Sequence, residues 1–102
     1  MLRTAAQRKA LCKACPIASA ADLVGDTQSL LIVRDLLSGP KRFFEITESL
    51  GMSTRTITLK LKHLEKTGLV LHAKTGRYAL TNKGKGLTQV IRSLKLFGEK
   101  YL

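Results

Sequence analysis

Ser53 to Gly68 reads STRTITLKLKHLEKTG. If this stretch is helical at about 100° per residue, Ile57, Leu61 and Leu64 fall in one narrow sector, which must be the side turned to a core. Arg55, Leu59, Lys62 and Lys66 then cluster on the opposite side, bordered by Thr56 and His63 on one edge and Thr58 on the other. Ser53 suits the N-cap, where its oxygen can accept a free N–H of the first turn. The helix is predicted over Thr54 to Thr67, and Gly68 can end it in the left-handed conformation.

Working upstream, Phe43, Ile46 and Leu50 recur at helical spacing and predict a short helix that stops at Gly51, so the two helices are joined by a tight turn. Lys41 and Arg42 precede it, after the turn forced by Ser38-Gly39-Pro40. Before that turn, a helix capped by Asp26 or Thr27 shows a broad apolar face of Leu30, Leu31, Val33 and Leu37. Pro16 suits the first position of a helix running to about Val24, which Gly25 ends. Residues 1–14 read as an N-terminal arm or helix.

Downstream, Leu69 to Leu71 and Arg77 to Leu80 are strand candidates, and the segment from His72 to Gly76 between them predicts a hairpin turn. Thr81 or Asn82 then opens a final helix whose Leu87, Val90, Ile91, Leu94, Phe97 and Tyr101 keep one face apolar. The expected fold is mainly α with a small β-hairpin: a winged helix-turn-helix with terminal dimerisation helices. At 102 residues it reads as one domain, with a core over 15–81 and a dimerisation helix over 82–102. A domain this small hides only roughly 60–70% of its unfolded surface, so long amphipathic ends gain burial from a second copy.

The formal charge is +11, from 18 Lys and Arg against 7 Asp and Glu. Charge alone leaves nucleic acid, an anionic membrane and solubility open. The placement of the cations favours double-stranded DNA. A second helix after a tight turn enters a major groove, and a basic hairpin reaches the neighbouring backbone. Arg55 can bind guanine bidentately, Thr54, Thr56 and Thr58 can hydrogen-bond or meet a thymine methyl, and Leu59 can meet the same methyl. Lys62 and Lys66 suit phosphates, as do Lys41, Arg42, Lys74 and Arg77, while Ser53 begins the helix beside them. The alternative is a sequence-indifferent architectural or nucleoid protein, which the net charge alone would explain.

Cys12 and Cys15 are the two cysteines of the chain. So few, so close together, they form no disulfide framework. The longest purely apolar run, Leu30 to Val33, is far short of the ~20 residues of a membrane span. Lys13 interrupts the segment where a signal peptide needs its hydrophobic region, so the chain reads as cytoplasmic. In that reducing compartment such cysteines are plain, metal-binding or redox-active. Cys15 precedes Pro16 at a helix N-terminus, where free N–H groups favour a thiolate, and Lys13 acts in the same direction. A buried, inert thiol is equally consistent with the sequence. Zinc is disfavoured, because His63 and His72 lack the spacing of paired histidine ligands. No arrangement for acid–base catalysis or a cofactor is present, so the chain reads as a non-enzyme.

Several stretches together resemble the HxlR family, winged-helix transcription regulators related in architecture to MarR proteins. They are Cys15-Pro16, Gly25 to Leu37 reading GDTQSLLIVRDLL, Gly39 to Phe43 reading GPKRF, Leu61 to Val70 reading LKHLEKTGLV, and Leu80-Thr81-Asn82-Lys83-Gly84. The resemblance implies a homodimer joined through its terminal helices and bound to a pseudo-palindromic operator, as a repressor or activator. It also implies oxidant or electrophile sensing through a cysteine at the position of Cys15, and so an oxidant or small-molecule effector. Gln28 stands where the family usually has tryptophan, Phe44 where it usually has serine, and the hairpin from His72 to Arg77 is shorter than the family's.

Overall fold

The computed structural model describes residues 15–102. Its elements, in order, are α1 (Pro16–Val24), α2 (Thr27–Leu37), β1 (Lys41–Arg42), α3 (Phe43–Leu50) and α4 (Thr54–Lys66). β2 (Val70–His72), β3 (Arg77–Leu80), α5 (Asn82–Lys85) and α6 (Thr88–Tyr101) follow. Cys12 and the expected N-terminal arm lie outside the described residues.

The helix ends follow from local chemistry. Cys15 caps α1, its Sγ accepting the Ala18 N–H at 3.5 Å. Asp26, rather than Thr27, caps α2 by accepting the Ser29 N–H at 3.0 Å. The Arg42 N–H donates to Glu45 Oε1 at 2.8 Å across the first turn of α3. Ser53 Oγ accepts the Thr56 N–H at the start of α4, at 3.2 Å. Gly51, with φ of 63°, makes the tight turn between α3 and α4, a conformation that costs glycine little.

Around α4 the core closes. Ile57, Leu61 and Leu64 are buried with Ile32, Val33 and Leu36 of α2, Ile46 of α3, and Leu69, Val70 and Leu80 of the hairpin. The apolar face of α2 is rotated from the expected one: Ile32, Val33 and Leu36 are buried, whereas Leu30, Leu31 and Leu37 are half-buried. Four adjacent aliphatic residues leave the phase of a helix underdetermined until its neighbours are in place.

Three further expectations change. The hairpin is a three-stranded antiparallel sheet of order β1-β3-β2, because Lys41 pairs with Tyr78 and Arg42 with Arg77. β2 starts at Val70 instead of Leu69, since the Leu69 N–H is spent on the Leu64 carbonyl at 2.9 Å, closing the end of α4. The final helix is broken after Lys85. Gly86 and Leu87 reach back to Gly84 and its neighbours before regular bonding resumes with Ile91 N–H to Leu87 at 2.9 Å.

Glycine at position 84 permits this seating of α5, because a Cβ there would collide with the Leu69 carbonyl oxygen. α5 therefore lies tight against the end of α4. Thr81 Oγ1 donates to the Gly68 carbonyl at 2.5 Å and accepts the Gly84 N–H at 3.1 Å. Lys83 Nζ donates to the Thr67 carbonyl at 2.8 Å. These bonds fix the hairpin and α5 against the C-terminal end of α4. Among the described residues, no helix is long and apolar enough to cross a membrane.

Candidate nucleic-acid interface

The rotation of α4 is settled by its burial. Ile57 and Leu64 are fully enclosed and Leu61 nearly so, while Leu59 is 56% exposed. Arg55, Lys62 and Lys66 are exposed beside it, as are Ser53 and Thr54 at the helix start. Glu65, the one acid in the sequence of α4, is half-buried and turned to the hairpin, its Oε1 4.0 Å from His72 Nδ1. The outward face of α4 thus combines a guanidinium, an isobutyl group and two ammonium groups with no carboxylate among them.

The threonines differ in what they can offer. Thr56 is half-buried and its Oγ1 accepts the Ser53 hydroxyl at 2.9 Å. Thr58 donates its hydroxyl to the Thr54 carbonyl at 2.7 Å, leaving its methyl and an oxygen lone pair for a ligand. His63, on the edge of the outward face, is exposed and also reaches α1: its Nε2 donates to the Leu23 carbonyl at 3.2 Å. That contact spans forty residues, so no local pattern announces it.

The sheet sorts the remaining cations. Directly opposed residues of antiparallel strands share a face, so the exposed Arg42 and Arg77 stand side by side. Arg42 Nη1 reaches to 3.2 Å from where a Cβ would sit on Gly76. The hairpin turn, closed by Ala73 N–H to Arg77 at 2.8 Å, carries the exposed Lys74 beside this pair. Lys41 is different. It lies half-buried on the other face and lines a shallow depression with Glu45, Glu48 and Ser49. The structure therefore gathers Arg42, Lys74 and Arg77 and separates Lys41 from them.

Behind the hairpin, His72 and Tyr78 stack with centroids 4.0 Å apart and rings 8° from parallel. Burial, and then the nearby Glu65 carboxylate, push the Tyr78 hydroxyl above its usual 10.0. The phenol stays neutral, and the stack braces the sheet against α4. The residues that aim this surface escaped the sequence reading: Lys60, half-buried with its Nζ 3.1 Å from Asp26, and Thr81 and Lys83 at the other end of α4. Their partners are distant in sequence, and only the Thr81-Asn82-Lys83 cap pattern hinted at one of them.

Elsewhere, Cys15 is half-buried at the start of α1. Among the described residues, no group of three or more His, Cys, Asp or Glu side chains could hold a metal ion. Between α2 and α6 lies a cavity of about 620 Å³ walled by Leu30, Leu31, Ile91 and Leu94, with Arg34 and Lys95 at its mouth.

Residues 23–102 match the model of the HxlR-like helix-turn-helix family. The HTH-type transcriptional regulator YodB of Bacillus subtilis is 34% identical over 95 residues, covering 85% of each chain. The HTH-type transcriptional regulator YdeP of the same organism is also 34% identical over 95 residues, covering 85% of this chain and 73% of the relative. Among solved structures, quinone-bound YodB from B. subtilis superposes with a TM-score of 0.78 at 35% identity, over 85% of this chain and all of that one. The redox regulator HypR in its reduced form gives 0.73 at 27% identity, over 84% of this chain and 92% of that one.

Proposed function

The chain belongs to the HxlR-like helix-turn-helix family and is a DNA-binding transcription regulator; from that premise we propose that it acts as a homodimer on a pseudo-palindromic operator in the cytoplasm. Its action is binding, not catalysis. In each protomer α4 enters a major groove, Arg55 with the adjacent Thr54, Thr56 and Thr58 reads base edges, and Leu59 meets a thymine methyl. Lys62, Lys66, Arg42, Lys74 and Arg77 take phosphates, Lys41 on the other face of the sheet contributes less, and Ser53 holds the start of the helix. The two copies join through the apolar stripe of Leu87, Val90, Ile91, Leu94, Phe97 and Tyr101, which sets the recognition helices about 34 Å apart.

The observation that carries this reading is the acid-free outward face of α4. Selection of bound sequences from a random DNA pool tests it. The selected sites should show two half-sites about one helical turn apart, and Arg55→Ala should relax the preference at one position per half-site at a cost of about 1–3 kcal/mol. Pools that stay random after selection at ~0.15 M salt would favour the sequence-indifferent architectural alternative, since low salt lets charge alone dominate.

Regulation through a thiol is the second part of the proposal, supported by the likeness to quinone-bound YodB and to the redox regulator HypR. The Cys15 thiol adds to an electrophile such as a quinone. Its sulfur lone pair forms the C–S bond while the ring π electrons shift to one quinone oxygen, which takes the thiol proton, and the hydrogen on the attacked carbon then moves to the second oxygen to give a hydroquinone thioether. Cys12, three residues away, is the neighbouring thiol for an oxidant. A small-molecule effector could also enter the cavity between α2 and α6, whose volume is in the range of ligand sites.

A further inference from the structure

α1 is nine residues long, and Val24 is its one buried residue. Leu23 packs half-buried against the core beside it, whereas Ile17 and the residues from Ala20 to Asp22 are exposed. Isolated helices shorter than about 12–15 residues are marginal in water, so α1 depends on what holds its two ends. At the first end the Cys15 sulfur accepts the Ala18 N–H at 3.5 Å.

The other end is held from α4. Leu23 lies in the last turn of α1, whose carbonyls lack a donor within the helix, and its oxygen accepts from His63 Nε2 at 3.2 Å. A carbonyl oxygen only accepts, so Nε2 carries the proton. His63 stands between the exposed Lys62 and the fully enclosed Leu64. Its bond therefore joins the helix capped by the thiol directly to the helix that reads DNA.

Resting on the thiol reading above, we propose that His63 is a positioning residue that clips α4 to α1 and relays the state of the Cys15 thiol to the DNA-reading face. With the thiol free, the cap keeps α1 folded and the Leu23 carbonyl stands within reach of His63. After addition to a quinone, the sulfur carries a ring at the N-cap and loses its seat against the Ala18 N–H. So short a helix, with one buried residue, frays when its cap is lost. The Leu23 carbonyl then leaves His63, and α4 loses one of the contacts that set its orientation. Lys60 still ties α4 to Asp26, so operator affinity falls while the fold persists.

Operator titrations with and without benzoquinone test the relay in a Cys12→Ser chain, with mass spectrometry confirming addition to Cys15. Losing one hydrogen bond, His63→Ala should bind the operator about fivefold more weakly before treatment. Quinone should then weaken it less than twofold further, although Cys15 is fully modified, because the two changes act through one contact. His63→Gln, whose amide nitrogen lies as many bonds from the backbone as Nε2, should restore both the affinity and the response. A Cys12→Ser chain that takes up quinone and binds the operator unchanged overturns the thiol reading, and the relay with it. A chain that responds, with His63→Ala responding as fully, overturns the relay alone, and a weakened but fully responsive His63→Ala marks His63 as a plain DNA contact.

Discussion

The ammonium of Lys60 lies 3.1 Å from the carboxylate of Asp26, so the recognition helix is tied to the residue that caps α2. Asp26 does two jobs with one side chain, since the same carboxylate accepts the Ser29 N–H. Lys60 is turned away from the DNA-facing side to do this. The tie sets where the start of the recognition helix sits against the core.

Asp26 gives the fold an acid-sensitive contribution. Burial disfavours its charged form, but the Ser29 N–H and Lys60 outweigh that and hold the carboxyl below its usual 3.8. A lowered pKa stabilises the fold fully above the unfolded value, and the gain is lost as pH falls through the folded value. Asp26→Ala should cost about 1 kcal/mol at about pH 7, most of it from the lost cap, because so exposed a pair is screened. Urea unfolding should show the gap to the parent narrowing as pH falls below the usual 3.8.

What could be read from the sequence follows from how local each cause is. The phase of α4 was legible because Ile57, Leu61 and Leu64 repeat at helical spacing and every residue of the opposite face is polar except Leu59. The caps at Ser53 and Cys15 are equally local. β1 was not legible, being two residues long and a strand only through its pairing with β3. The close seating of α5 also has a distant cause, the Leu69 carbonyl against Gly84. So does the sorting of Lys41 from Arg42, which reads as one basic dipeptide until strand alternation sends the two side chains to opposite faces.

Gly84→Ala should destabilise the protein by about 2–3 kcal/mol, because the new methyl meets a backbone oxygen that cannot rotate away. The displaced element would be α5, with its Thr81 and Lys83 bonds to the end of α4. Thermal melts at fixed protein concentration check this, with Gly98→Ala as the contrast: α6 accepts that methyl freely, so folding of the protomer should be unharmed. Equal losses in the two variants would remove the steric account of Gly84.

Arg42 and Arg77 face each other across β1 and β3, and like charges so placed repel unless an anion lies between them. A DNA phosphate would relieve that repulsion. Arg42→Ala and Arg77→Ala should each reduce the slope of log affinity against log salt by about 1. The double variant should lose less affinity than the two single losses combined, because the pair acts on one phosphate. Lys41→Ala should change the slope by less, since Lys41 shares its side of the sheet with Glu45 and Glu48. Filter binding across a salt series separates these outcomes, and fully additive losses would show two independent contacts.

Cys15 joins a structural role to a chemical one, and substitution can part them. Its sulfur caps α1 through a 3.5 Å contact with the Ala18 N–H, a weak bond that a serine oxygen would make better. Cys15→Ser should therefore keep or raise stability, by no more than about 1 kcal/mol. Operator affinity without oxidant should be unchanged, because α1 lies outside the surface formed by α4 and the hairpin. Quinone or diamide should then no longer alter DNA binding, since the hydroxyl is too poor a nucleophile to add to either. Gel-shift titrations of parent and variant, each with and without quinone, give the four affinities needed. A response that survives in Cys15→Ser but disappears in Cys12→Ser would move the sensing thiol to Cys12 and leave Cys15 as a helix cap alone.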